Sequence, residues 1–100
     1  MAPQEVNFHP AAVEEAAEAH RWYAERSPRA ALAFDEALNS AVQQMASHPK
    51  RWAKYLHGTR HLILQKFPYV VVYRVVDSSI EVIAVAHERR RPGYWKSRNN

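Results

Sequence analysis

Three apolar, β-branched runs follow one another after Gly58: "TRHLILQKF", "YVVVYRVVD" and "IEVIAVAHE". Only turn-sized breaks, Phe67-Pro68-Tyr69 and Asp77-Ser78-Ser79, separate them. Runs this short, bounded by such breaks, favour extended chain, and strands joined by two or three residues have to be antiparallel. A meander of three strands therefore fixes the second half of the fold. Because the runs are apolar almost throughout, both faces of the sheet are expected to be at least partly covered.

The first half must supply that cover. Val6 and Phe8 alternate with polar residues in "QEVNFH", a pattern that predicts a short half-buried strand over Gln4 to His9. Pro10 then suits a first helical residue, and Val13, Ala16, Ala17, His20 and Tyr23 recur at helical spacing to about Arg26. Ser27-Pro28 repeats the start signal, with Ser27 as N-cap, and Ala31, Phe34, Leu38, Ala41 and Met45 line one stripe to about Ser47. Trp22, Tyr23 and Phe34 read as core or as the contact between the two helices. His48-Pro49 ends the second helix, and "KRWAKYLHG" reads as a basic loop. The predicted order is β-α-α-β-β-β, an α+β fold with a helical hairpin packed on a small, mainly antiparallel four-stranded sheet. At 100 residues the chain, 1–100, is expected to be one domain.

Charge is sorted along the chain. Residues 1–49 hold three Arg against seven acids, a balance of −4, whereas residues 50–100 hold seven Arg and four Lys against three acids, a balance of +8. Such asymmetry raises encounter rates with phosphates or acidic proteins. There is no cysteine, which excludes disulfides and thiolate metal sites and fits a reducing cytoplasm. No run of eighteen apolar residues and no signal-peptide pattern occur, so a soluble cytoplasmic protein without a membrane partner is expected. Two glycines cannot build a phosphate loop, "HERRR" lacks the second histidine of a zincin helix, and no cofactor or metal is called for. Ser27, His20 and Asp35 could form a triad on paper, with nothing in the sequence to locate them in a pocket.

The stretches "FHPAAVEEAAEAHRWYAERSPRAALAFDEAL", "GTRHLILQKFPYVVVYRVV" and "IEVIAVAHERRRPGYW" together resemble the RelE/ParE toxin superfamily, the toxin halves of bacterial type II toxin–antitoxin modules once called plasmid stabilization proteins. The similarity runs through nearly the whole chain in order. It implies a toxin neutralised by an acidic antitoxin, acting on one of two targets. ParE-like members block DNA gyrase without chemistry on nucleic acid, and the helical hairpin resembles that side; RelE-like members cut mRNA on the ribosome without a metal. A domain that keeps the fold and the antitoxin grip but not the toxicity is a third possibility.

Metal-free RNA cleavage would need a base, an acid and fixed positive charge around the transition state. Arg60, Arg74 and His87, one from each meander strand, are the candidates for that chemistry. A three-residue loop at 67–69 would put Arg60 and Arg74 on one face and a two-residue loop would separate them; a Ser78-Ser79 turn would put Arg74 and His87 on one face. Arg74 has a second reading, an ion pair with Glu81. Lys50, Arg51, Lys54, Arg89, Arg90 and Arg91 are candidates for contacts with an anionic partner, since guanidinium forks suit phosphate and carboxylate alike. Tyr94 and Trp95 could stack on such a partner or pin the tail to the core. The expectation underlying all of these is convergence of the cationic groups on one exposed patch.

Overall fold

The structure is a computed structural model that describes residues 4–99, with the side chain of residue 99 outside the description. The chain runs β1 (Glu5–Phe8), α1 (Pro10–Ala24), α2 (Pro28–Ser47), β2 (Lys54–Tyr55), β3 (Thr59–Ile63), β4 (Tyr69–Val76) and β5 (Ser79–His87). The sheet has five strands in the order β1-β5-β4-β3-β2, parallel only at β1·β5. The extra strand is β2, a two-residue bridge inside the stretch that reads as a basic loop. Both helices start as their sequences dictate. The Ser27 hydroxyl accepts from the Ala30 amide at 3.3 Å, and His9 Nδ1 accepts from the Ala11 amide at 3.0 Å, each followed by proline at the first helical position.

Register decides which side chains share a face. Leu64 N–H donates to Tyr69 O at 2.9 Å, so the β3–β4 loop is the four residues 65–68 and Arg60 lies opposite Tyr73. The β4–β5 turn is Asp77-Ser78, one residue earlier than the expected Ser78-Ser79, with Asp77 in the left-handed region at φ 54° that aspartate tolerates better than most residues. A bulge then shifts the ladder. Val72 pairs with Ala84 while Tyr73 pairs with Val82, leaving Ile83 as the extra residue.

The helices cover one face. Ala12, Ala19, Phe34, Leu38, Ala41 and Met45 pack on Leu62, Val71, Tyr73, Ile80, Val82 and Val85. Phe34 is the hub, with Tyr23 stacked on it at 5.5 Å and Phe67 and Tyr69 meeting it edge-on at 5.6 and 5.3 Å. Tyr73 donates its hydroxyl to Pro49 O at 2.7 Å, tying the end of α2 to the sheet. Burial pushes the Tyr73 phenol up to about 12, with the nearby Arg60 charge acting in the opposite direction. The second face has its own smaller cluster, Val72, Ile83, Ala84 and Trp95. Two helix positions depart from expectation. Val13 is half exposed because Ala12, Ala16 and Ala19 form the inward stripe, and Trp22 is half exposed with the Arg26 guanidinium 3.5 Å above its ring.

Candidate functional site

β1 stops short. Its last pair is Phe8 with Val82, His9 N–H closes on Val82 O at 2.9 Å, and the chain turns into α1. Among the described residues, the remaining half of β5, Ile83 to His87, has no strand on that side. Glu15 of α1 fills the gap: its carboxylate accepts from the Val85 amide at 3.0 Å, from the Tyr94 hydroxyl, and from Arg98 Nη1 at 2.9 Å. Arg98 Nη1 also approaches Ile83 O at 3.3 Å. A strand edge that would otherwise bare its amides is thus closed by two charged side chains and the folded-back tail. The Tyr94 phenol is held above its ordinary range, first by burial and then by its hydrogen bond to Glu15 and that carboxylate's charge.

Beside this lock lies a cleft of about 350 Å³, walled by Trp22 and Tyr23 of α1, Tyr69, His87, Arg89, Arg90 and Tyr94. His87 meets Tyr69 edge-on at 5.1 Å, and its Nδ1 accepts from the Arg89 amide at 3.1 Å. That bond leaves Nε2 to carry the proton of the neutral ring. The Arg90 guanidinium lies 3.9 Å over the Tyr94 ring, and Arg89, Arg90 and Arg91 are exposed on the turn beyond β5. Aromatic walls with guanidinium forks at the rim suit a partner that offers apolar side chains together with carboxylates or phosphates. Among the described residues, no three His, Asp or Glu side chains stand close enough together to hold a metal ion.

The structure does not bring Arg60, Arg74 and His87 together, and the expected single patch is corrected to two separate places. Arg60 lies on the helix side of the sheet and donates to Trp52 O at 2.8 Å and Lys50 O at 3.3 Å, bracing the loop after α2. Arg74 lies on the other face, with its Nε 2.8 Å from Glu81 Oε1, so the ion-pair reading holds for it. His87 sits opposite Tyr69, back on the helix side, because the bulge at Ile83 reverses the alternation. Tyr69 and Arg74 are five positions apart along β4, roughly 16 Å of strand. Lys50 and Lys54 join Arg60 and Arg74 around a depression of about 320 Å³ at the β2 corner, and Arg51 lies over the Trp52 ring at 5.6 Å. Trp95 is 1% exposed, so it anchors the tail and is no surface for a partner.

Glu15 and Arg98 are the residues that sequence reasoning passed over. Glu15 had a signal, a carboxylate set between Ala12 and Ala19 on the inward stripe of α1; Arg98 had none. The Arg74–Glu81 pair, with each side chain about 30% exposed, should contribute little. A double-mutant cycle of Arg74→Ala and Glu81→Ala by urea denaturation should return a coupling of about 0.2–1 kcal/mol. A coupling above about 2 kcal/mol would mark it as a fold-defining contact instead.

The profile described as ParE toxin of type II toxin-antitoxin system, parDE, matches residues 6–92. The chain is 28% identical over 76 residues to Toxin ParE2 of Mycobacterium tuberculosis, in the CDC 1551 / Oshkosh and H37Rv strains alike, an alignment spanning 75% of this chain and 72% of the relative. Among solved structures, a chain of the chromosomal ParDE TA system from P. aeruginosa superposes with a TM-score of 0.74 at 17% identity, covering 84% of this chain and 95% of that one, which establishes a shared fold. With a profile match through β1, both helices and the entire meander, the chain belongs to the ParE toxin family of type II toxin–antitoxin systems.

Proposed function

We propose that this ParE-family toxin acts in the cytoplasm on DNA gyrase by binding, and that a cognate acidic antitoxin holds it inactive. The observation that carries the choice of target is the separation of His87, at one end of the sheet, from Arg60 and Arg74, which border a depression at the other. A metal-free ribonuclease needs its base, acid and phosphate-binding charge within reach of one scissile phosphate. Here the first candidate braces a loop, the second pairs with Glu81, and the third is a strand length away. An inhibitor that works by occupancy needs no such convergence. It needs an exposed rim of anchors and charge, which Arg89, Arg90 and the aromatic walls of the cleft supply. The +8 balance of residues 50–100 favours fast capture by an acidic antitoxin.

Induction of the chain in a bacterium lacking the antitoxin tests the target. Growth should stop, plasmids should lose negative supercoils, DNA damage should appear, and message 5′ ends should stay as in the uninduced culture. Purified protein should likewise block supercoiling of relaxed plasmid by gyrase. New mRNA 5′ ends with supercoiling unchanged would overturn the gyrase reading in favour of cleavage.

A further inference from the structure

The short strand β2 sets two cations against each other. Lys54 is the direct partner of Arg60 in the β2–β3 ladder, so both side chains leave the sheet on one face. Like charges directly opposite destabilise a ladder, and a bound anion would turn that repulsion into attraction to a shared partner. Arg60 is held in place, its Nη1 donating to Trp52 O at 2.8 Å and to Lys50 O at 3.3 Å. Its Nε and Nη2 hydrogens bond to no other described residue. The bond to Lys50 O also fixes the main chain of a third cation beside the pair. Among the described residues no carboxylate forms an ion pair with Lys50, Lys54 or Arg60.

These side chains line the depression of about 320 Å³ at the β2 corner, with Arg74 and Val75 of β4 on its far side. Arg74 is paired with Glu81 at 2.8 Å and so adds less to the field than the other three. No carboxylate or histidine lines the depression, an arrangement that holds an anion without either group beside it to act as a base. Gly58 forms part of the wall, and a Cβ built on it would meet no heavy atom beyond its chain neighbours within 4 Å. An incoming group can therefore approach the backbone closely there.

We propose that this depression grips the phosphate backbone of duplex DNA, without regard to base sequence. The lining separates nucleic acid from protein as the occupant. Protein interfaces deplete charge at their centre and concentrate aromatic anchors there, whereas half of these lining residues are cationic. The one aromatic ring, Tyr55, is committed within the fold, 4.2 Å from His61 and 5.8 Å from Trp95, and offers no ready platform for an unpaired base. That favours a duplex, whose bases are already stacked, over a single strand. The choice of DNA over duplex RNA rests on the gyrase reading, since gyrase works on a DNA duplex. The depression lies at the opposite end of the sheet from the cleft beside His87, so one site can meet the enzyme while the other meets its DNA.

The test measures binding of a short fluorescein-labelled duplex of arbitrary sequence to the purified full chain by anisotropy. Affinity should fall with salt along a log–log slope of roughly −3, as for about three phosphates neutralised. Lys50→Gln/Lys54→Gln changes two exposed side chains; it should weaken binding roughly 10-fold and flatten the slope by about 2. Arg21→Gln/Arg29→Gln removes the same charge from exposed helix positions and should leave affinity within about 2-fold of wild type. Circular dichroism and melting check that both variants fold. Equal losses in the two double variants would reveal diffuse attraction to a basic protein and overturn the site. Absence of binding at about 50 mM salt would overturn it too, and supercoiling still blocked by the same preparation would leave the gyrase reading standing. Binding that depends on Lys50 and Lys54, in a preparation without effect on gyrase, would support the site and overturn the gyrase reading. Duplex RNA, ATP or polyglutamate competing better than unlabelled DNA would give the depression to another phosphate source or to carboxylates, and overturn DNA as its occupant.

Discussion

Replacing Glu15 with alanine should destabilise the fold by about 3–5 kcal/mol, a large share of the roughly 5–15 kcal/mol available to a domain of this size. The carboxylate and the Arg98 guanidinium are only 12% and 18% exposed, and the same carboxylate is the acceptor for Tyr94 and for the Val85 amide. Truncation takes the counter-charge from a buried cation, which keeps only the Ile83 carbonyl, and the acceptor from a buried phenol and a strand amide, each of which has already lost its water. Glu15→Gln keeps one acceptor oxygen and should lose less, so the difference between the two variants separates the charge from the hydrogen bonds. Urea denaturation read by fluorescence measures both. A loss below about 1 kcal/mol for Glu15→Ala would mean that the network is open to water and stabilises as a surface pair does.

Trp95→Ala should cost a similar amount, about 3–5 kcal/mol, lowering the melting temperature by 12 °C or more on the rough scale of ~4–8 °C per kcal/mol for about 100 residues. The indole is 1% exposed and fills the space over Val72, Ile83 and Ala84, with Tyr55 and His57 5.8 and 5.7 Å from it. Ala84 is too small to close the void that truncation opens. A melting temperature within 2 or 3 °C of wild type would instead identify Trp95 as a surface ring whose role is external. Since Glu15 and Trp95 hold the same tail, the double variant should lose less than the sum of the two.

What could be read from the sequence was what local chemistry decides. Ser27-Pro28 starts α2 and its Ala31, Phe34, Leu38, Ala41 and Met45 stripe is buried because a cap and a 3.6-residue repeat act within a few residues. The three meander runs declare themselves in the same way. Faces were not readable, because they depend on counts taken across turns. One extra residue at Ile83 suffices to put Arg74 and His87 on opposite sides, while the turn's displacement to 77–78 only slides their partners along the ladder. β2 was hidden because two residues carry no period. The Glu15–Tyr94–Arg98 lock joins groups 79 and 83 positions apart, and only the side that α1 presents to β5 brings them into contact. The cationic residues are legible in the sequence, while their convergence depends on register, and the observed register does not bring them together.

The parallel pairing of Glu5–Phe8 with Ser79–Val82 ties the first strand to the last, with partners 74 positions apart. Closing so long a loop is entropically unfavourable and slow compared with forming a hairpin. On the ribosome β1 must therefore wait, unpaired, until β5 has emerged, while α1, α2 and the β3–β4 hairpin can already organise. Closure of the sheet by β1 is therefore a late event in folding, and until it happens the amides at the start of β5 have no partner strand on that side.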